Sequence, residues 1–227
     1  MHTSFFKCML PALALAACTG APDSRLTSPD GRIAVEFTSG PAGEAVYSMV
    51  LDGDTIVRPS ALGFRLLGHE KDLTGGFAVE GVSFNSHDGK WAPVWGENDS
   101  IADVYNSMTV SLKQKDSGLK MDVEFRAYDD GIGFRYVFPE QQGADSLFIA
   151  EELTQFAMTG DHTAWWIPGD YDTQEYEYTE SPLSGIRARN SNDQPGNVSQ
   201  TGFSPTGVQT SLLMRDKAGR YINIHEA

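Results

Sequence analysis

An alternation of apolar and polar residues with a period of two is the feature that most constrains how this chain can fold. The pattern is clearest in 120–128, where the apolar members are Met121, Val123, Phe125 and Ala127. Successive side chains of a β-strand point to opposite faces, so this period marks half-buried strands. No long window shows the period of about 3.6 residues, with caps, that marks an amphipathic helix. The sequence therefore predicts a protein built almost entirely of strands.

Short turn motifs separate the predicted strands. The dipeptide Asp-Gly at 52–53 is a strong two-residue hairpin signal, and Asp-Asp-Gly at 129–131 also turns the chain. The run Asn-Ser-His-Asp-Gly at 85–89 predicts a turn between strands at 77–84 and 91–95. Further strands are predicted at 33–38, 45–51, 55–57, 62–66, 105–113, 120–128, 132–138, 147–152, 155–158, 163–167, 207–214 and 220–225. This pattern is typical of a β-sandwich, and the predicted fold class is all-β and antiparallel.

The start of the chain is predicted to lie outside the folded domain. Residues 1–18 combine one positive charge, an apolar stretch and small residues before Cys18, as in the signal peptide of a bacterial lipoprotein. Cys18 would carry the lipid anchor, 19–27 would form a tether and 28–227 would form the domain. An ordinary signal peptide cut nearby is the alternative. Both interpretations export the protein, and the first predicts a periplasmic or outer-membrane-associated lipoprotein. Since Cys8 would leave with the signal, the domain would contain no disulfide and no thiolate zinc site.

Composition and missing motifs exclude several classes of function. The formal net charge is −14, which argues against a nucleic-acid partner because a polyanion would be repelled. The sequence contains no Gly-x-Ser-x-Gly elbow, no His-Glu-x-x-His motif and no glycine-rich phosphate loop. Carboxylates are therefore the remaining candidates for chemistry.

Carboxylates and aromatic residues are densest in 160–178. This stretch holds two of the four tryptophans, together with three tyrosines and five acidic residues. Aromatic faces stack on sugar rings, and carboxylates bind sugar hydroxyls or calcium. Two plainer interpretations stay open. The tryptophans could belong to a core, and 175–178 could be an edge strand with its glutamates on one face and its tyrosines on the other.

Several longer motifs occur in a fixed order along the chain. They lie at 27–31 (TSPDG), 62–64 (LGF), 91–97 (WAPVWGE), 125–136 (FRAYDDGIGFRY), 160–162 (GDH), 166–176 (WIPGDYDTQEY) and 221–227 (YINIHEA). Taken together, they resemble the N-terminal domain of glycoside hydrolase family 97, which includes an α-glucosidase of bacterial starch utilisation. The resemblance covers about 25–227.

The resemblance implies a fold and a set of site residues. In this family the N-terminal domain is a β-supersandwich of galactose-mutarotase type, packed on a (β/α)₈ barrel that holds the catalytic acid and base. The active site contains calcium, and the glutamate ligand contributed by the N-terminal domain matches Glu175. The neighbouring residues that would line or support the substrate or domain interface are Trp165, Trp166, Asp170, Tyr171 and Asp172.

The implied function is the N-terminal part of a calcium-dependent, exo-acting α-glycosidase, an α-glucosidase or α-galactosidase acting on α-linked oligosaccharides. The catalytic carboxylates would belong to the barrel, so we expect the chain alone to be inactive. We also expect it to hold calcium weakly, because the ion takes six to eight oxygen ligands. The pattern at 220–227 resembles an unfinished strand and suggests that the sequence continues. Two alternatives remain, a stand-alone carbohydrate-binding or scaffold sandwich and a mutarotase-like epimerase. The epimerase lacks a histidine and carboxylate pair within one motif.

Overall fold

A computed structural model describes residues 24–141, 146–189, 204 and 206–226. Nearly all regular structure in these residues is β, which confirms the predicted fold class. The strands are β1 Arg25–Thr27, β2 Ile33–Ser39, β3 Ala45–Leu51, β4 Asp54–Leu62, β5 Phe64–Leu67, β6 Phe77–Trp91, β7 Ile101–Gln114, β8 Lys120–Tyr128, β9 Gly131–Val137, β10 Phe148–Glu152, β11 Ala157–Met158, β12 Thr163–Trp166, β13 Thr179–Pro182, β14 Leu212–Arg215 and β15 Tyr221–Ile224. A 3₁₀ turn, Leu183–Gly185, leads into the short helix α1, Ile186–Arg189. No described helix has the length and apolar character needed to cross a membrane.

The strands form three antiparallel sheets and one additional pair. The first sheet has the order β1-β2-β3-β4-β11, the second β6-β7-β8-β9 and the third β13-β12-β14-β15, while β10 pairs with β5. Neighbours in the second sheet follow one another along the chain, as is usual for consecutive antiparallel strands.

The main core lies between the first and second sheets. Burial along β8 alternates strictly, as the sequence period predicts. Val35 and Tyr47 of the first sheet and Val110 and Phe125 of the second are completely buried in one cluster. The Tyr47 ring lies 6.3 Å from that of Phe125, and its hydroxyl donates to the Gln155 carbonyl oxygen at 2.7 Å. The buried hydroxyl of Tyr47 therefore has a hydrogen-bond partner.

The third sheet has a small core of its own. Ala164 and Trp166 of β12 pack with Met214 of β14, and all three are completely buried. Because side chains alternate along a strand, Thr163 and Trp165 point to the opposite face of the sheet. This arrangement places the two adjacent tryptophans in different environments.

The Asp-Gly turn predicted at 52–53 is confirmed. Leu51 pairs directly with Asp54, so β3 and β4 are joined by two residues only. Both of these residues have positive φ, 52° at Asp52 and 88° at Gly53. Two positive φ values are typical of a type I′ turn, whose twist matches that of the flanking strands.

The turn predicted at 85–89 is wrong, and β6 runs through it without interruption. Asn85 pairs with Ser107, His87 with Tyr105 and Trp91 with Ile101, so every residue of this stretch lies in the ladder with β7. Turn-forming residues can occupy a strand when cross-strand pairing satisfies their backbone groups. The chain reverses at 92–100 instead, and the strand predicted to reach residue 95 ends at Trp91.

Other boundaries also differ from those predicted. Residues 25–27, assigned to the tether, form β1, and Leu26 is buried against β2. Strand β13, which no predicted strand covers, ends at Pro182. Strand β14 starts at Leu212, not at 207. The predicted signal peptide, with Cys18, lies outside the described residues, as do 19–23 and most of 181–206.

Candidate functional site

The aromatic and acidic stretch at 160–178 is anchored at both ends in the third sheet. Strand β12 lies in the middle of this sheet, with β13 on one side and β14 on the other. Between β12 and β13 the chain forms a loop, 167–178, with an isolated bridge from Pro168 to Val208. The candidate site is therefore a loop on a rigid support, an arrangement common for binding residues.

Trp166 is a core residue. Its side chain is completely buried, and its indole N–H donates to the Ser181 hydroxyl at 3.0 Å. Ser181 is itself buried in β13, so this bond ties the two strands together below the surface. The side chain has no surface with which to contact a sugar or another domain. Of the two predicted roles, lining or supporting an interface, the geometry fits support.

Trp165 lies on the opposite, outer face of the third sheet. Its indole N–H donates to the Glu180 carboxylate at 3.1 Å. Its ring is stacked with that of Tyr221, with centroids 6.2 Å apart, and the Arg215 guanidinium lies 5.6 Å from its centroid. The Arg215 position allows a cation–π interaction. Tyr221 is 63% exposed, so this face presents an aromatic surface to solvent.

Asp170 stabilises the loop 167–178 through hydrogen bonds of its buried side chain and its backbone. Its side-chain carboxylate accepts hydrogen bonds from the Tyr176 hydroxyl and, at 2.7 Å, from the Asp172 backbone N–H. Its backbone carbonyl accepts one from the Gln209 side chain at 2.6 Å. Burial and the contact with Asp170 raise the pKa of Tyr176 to about 12. Asp170 and Tyr176 are both buried, so the pair holds the loop in shape.

The exposed residues of the same loop include Tyr171, Asp172, Glu175 and Glu177. The Glu175 backbone N–H donates to the Thr173 hydroxyl at 3.0 Å. No hydrogen bond or ion pair engages the Glu175 carboxylate within the described part of the chain. A free carboxylate on a fastened loop can serve as a ligand for a cation or a sugar hydroxyl.

The edge-strand interpretation of 175–178 is wrong. These residues lie outside any strand, and the two tyrosines do not share a face, because Tyr176 is buried while Tyr178 is 65% exposed. The hydrogen bond to Asp170 draws Tyr176 inward. Across 24–141, 146–189, 204 and 206–226, no group of three or more His, Cys, Asp or Glu side chains could hold a metal ion. Glu175 therefore represents at most one ligand of a site.

The structure draws attention to two residues before β12, Asp161 and His162, that were not among the predicted site residues. Asp161 accepts hydrogen bonds from the backbone N–H and the hydroxyl of Ser184, at 2.9 and 2.8 Å, which lower its pKa. His162 is 5% exposed, and neither ring nitrogen has a hydrogen-bond partner in the described residues. Ser184, the partner of Asp161, is distant from it in sequence. The same is true of Ser181 and Tyr221, the partners of the two tryptophans. Only the tertiary structure brings these residues together.

Residues 26–227 match the Glycosyl-hydrolase 97 N-terminal family. The chain belongs to this family. The predicted resemblance is thereby confirmed over nearly the whole length of the chain. The core, the candidate site and every strand from β2 onward lie within the matched residues.

Relatives of this GH97 domain include two curated proteins. It is 26% identical to a probable retaining alpha-galactosidase of Streptomyces bingchenggensis over 91% of this chain and 30% of that protein. It is 30% identical to a retaining alpha-galactosidase of Bacteroides thetaiotaomicron over 81% of this chain and 27% of that protein. The chain therefore spans less than a third of the length of these curated relatives.

A solved structure agrees with the fold. A Glycoside Hydrolase Family 97 enzyme from Pseudoalteromonas sp., solved in complex with panose, superposes with a TM-score of 0.75 at 31% identity. The superposition covers 89% of this chain and 28% of that one. The same enzyme has been solved in complex with acarbose, with the same TM-score.

The GH97 domain also contains a histidine and carboxylate pair that no single motif contains. The His87 Nε2 atom lies 3.4 Å from the Asp103 carboxylate, on neighbouring strands of the second sheet. Both side chains are partly exposed, at 48% and 30%. The pair lies on a different sheet from the loop 167–178 and does not extend that site.

Proposed function

We propose that this GH97 N-terminal domain is part of a calcium-dependent, exo-acting α-glycosidase. In this proposal it packs on a catalytic (β/α)₈ barrel and lends that barrel the Glu175 carboxylate as a calcium ligand. The observation that carries the proposal is family membership together with an exposed Glu175 carboxylate that has no hydrogen bond or ion pair within the described residues. The resemblance of 166–176 to the family motif implies a metal ligand at this position. The share of the relatives' length that the chain spans, 27–30%, is consistent with one domain of a larger enzyme.

The chemistry of Glu175 suits one ligand of a calcium ion. Calcium binds hard oxygen ligands, and the carboxylate is exposed on a loop whose shape is fixed by Asp170 and Tyr176. A fixed loop lowers the entropy lost when the carboxylate binds, because the backbone is already ordered. The remaining oxygens would come from the barrel and the substrate. The nearby Asp172 carboxylate is also exposed and could contribute through water.

Residues of this domain would position the metal and exclude water from the contact between the domain and the barrel. A bound calcium ion supplies electrostatic stabilisation of negative charge near the scissile bond. Proton transfer needs a pair of carboxyl groups across that bond, which we assign to the barrel. Trp165 and Tyr171, both on the outer surface, would line the contact between domains, and Trp166 would hold β12 beneath it.

The proposed substrates are α-linked oligosaccharides. The two curated relatives are named as retaining alpha-galactosidases, and the Pseudoalteromonas enzyme was solved with panose and with acarbose. We therefore propose an α-galactoside or an α-glucoside as substrate. The sequence pattern before Cys18 further supports an exported lipoprotein, anchored to a membrane through that residue.

Glu175→Gln in the complete polypeptide tests the proposal. The substitution keeps the size of the side chain and removes its charge, so we expect the calcium concentration for half-maximal hydrolysis to rise at least tenfold. Glu177→Gln is the matched control, since Glu177 is exposed on the same loop two residues away. Hydrolysis of p-nitrophenyl α-galactoside and of panose would be followed across a calcium titration.

An unchanged calcium titration for Glu175→Gln would refute its role as a ligand. A complete polypeptide that binds maltose or panose but hydrolyses no α-glycoside at any calcium concentration would refute the enzymatic proposal and favour a carbohydrate-binding module. A stop codon directly after residue 227 in the encoding gene would also count against it.

A further inference from the structure

The second sheet extends into an arm that leaves the sandwich. Strand β8 pairs with β7 only as far as the Asn106–Ala127 pair, whereas β6 and β7 continue for five more pairs, from His87–Tyr105 to Trp91–Ile101. At about 3.4 Å per residue the two-stranded part is about 17 Å long. We call residues 87–105, with the connecting loop 92–100, the β6–β7 arm.

The arm exposes large apolar side chains near its tip. Trp95 is 87% exposed, Val94 100% and Trp91 52%. Val104, on the strand, is 36% exposed. An isolated two-stranded ribbon is marginally stable in water, and contiguous exposed aromatic surface usually marks an interaction site. Burial of these side chains would therefore stabilise both the ribbon and a complex.

The base of the arm is held rigidly. The Asn106 side chain donates to the Thr27 carbonyl oxygen at 2.9 Å, which ties β7 to the first sheet. Tyr105 lies between the rings of His87 and Tyr128, with centroids 5.2 and 5.1 Å away, and the Arg126 guanidinium lies 4.6 Å from its centroid. These contacts fix the direction in which the arm leaves the domain, so little entropy is lost when it docks.

We infer that the arm docks on the downstream region of the same polypeptide, the catalytic domain of the proposed function, on which this inference rests. More than two thirds of the length of the curated relatives lies outside the part that this chain matches.

Charge favours this occupant over a second copy of the chain. The arm carries four carboxylates against one lysine, and the whole chain has a net charge of −14. Two acidic arms, or an arm and another acidic copy, would repel one another. The docking surface we expect is an apolar groove with a basic rim on the downstream domain.

Oxidative footprinting of the arm tryptophans tests the inference. Hydroxyl-radical oxidation of Trp95 would be measured in the complete polypeptide and in the 227-residue chain, each normalised to N-acetyltryptophanamide. We expect Trp95 to react at least fivefold more slowly in the complete polypeptide, because docking covers it. Equal rates in the two proteins would overturn the inference. So would protection that appears in the 227-residue chain as its concentration rises, since that result would assign the arm to a second copy.

A double variant gives an independent measurement. Val94→Ser with Trp95→Ser changes only exposed side chains in the loop, so the domain core stays intact. In the complete polypeptide we expect proteolytic cleavage between this domain and the downstream region to accelerate at least threefold. Asn98→Ser, on the same loop, is the matched control and should leave the rate unchanged. Equal cleavage in both variants would contradict docking.

These outcomes are separable from those of the proposed function. Trp95 protection in a polypeptide without glycosidase activity would support docking and refute the proposed enzyme. Calcium-dependent hydrolysis by a complete polypeptide in which Trp95 stays fully reactive would support the proposed enzyme and refute docking of the arm. Detection in cell extracts of a product of about 25 kDa alone, the mass of this chain, would overturn the docking inference.

Discussion

Tyr176→Phe is the substitution that best isolates the contact holding Glu175 in place. It removes only the hydroxyl that donates to the buried Asp170 carboxylate, and it keeps the ring that fills the site. A hydrogen bond to a charged group contributes about 1.5–3 kcal/mol. Asp170 keeps its bond from the Asp172 N–H, so it remains partly satisfied. We expect the free energy of opening of the loop 167–178 to fall by about 1.5–3 kcal/mol, with little change in global stability.

Hydrogen exchange followed by mass spectrometry measures this opening directly. At 1.4 kcal/mol per factor of ten, exchange at the Asp172 amide should accelerate about 10- to 150-fold. Tyr178→Phe is the matched control, because Tyr178 is 65% exposed and its hydroxyl has no hydrogen bond among the described residues. In the complete polypeptide the calcium titration should shift in the same direction. Identical exchange in the two variants would show that the Asp170–Tyr176 contact does not hold the loop.

Three further predictions concern the two adjacent tryptophans, the Asp161–Ser184 contact and the β3–β4 turn. Trp166→Ala should lower the free energy of unfolding in urea by about 3–5 kcal/mol, and Trp165→Ala by much less, because only Trp166 is completely buried. Ser184→Ala should raise the pKa of Asp161 in an NMR titration, because it removes the hydroxyl donor that lowers it. Stability from this depressed pKa is present above the unfolded value of about 3.9 and lost as pH falls through the folded value. Gly53→Ala should cost about 1–2 kcal/mol, since a Cβ there meets no atom and only the positive φ is unfavourable.

The predictable part of the fold follows from local periodicity. In β8 the apolar residues recur at every second position, and burial follows them because a half-buried strand needs one apolar face. The turn at Asp52 and Gly53 needs two residues that tolerate positive φ, so the local sequence is enough to predict it. The site loop could be found as a dense cluster of aromatic and acidic residues, and the family motif selected Glu175 within it.

Contacts between residues distant in sequence determined the features that the local pattern could not predict. The run at 85–89 has turn residues, yet pairing with β7 keeps it extended and so creates the arm. Strand alternation shows that Trp165 and Trp166 face opposite ways, but only the packing of β14 and the Ser181 hydroxyl decides that Trp166 is inside. Likewise, the buried Asp170 carboxylate turns Tyr176 inward and leaves Glu175 in solvent.

The sequence by itself therefore determined the class of fold, the position of most strands and the family, because these depend on residue type and spacing. The tertiary structure decided which aromatic residues are core and which are surface, because burial depends on partners far away along the chain. The tertiary structure also shows that the Asp170 carboxylate holds the loop in shape while the Glu175 carboxylate is exposed to solvent. This difference depends on which hydrogen-bond donors the fold brings to each carboxylate, and no local sequence pattern encodes it.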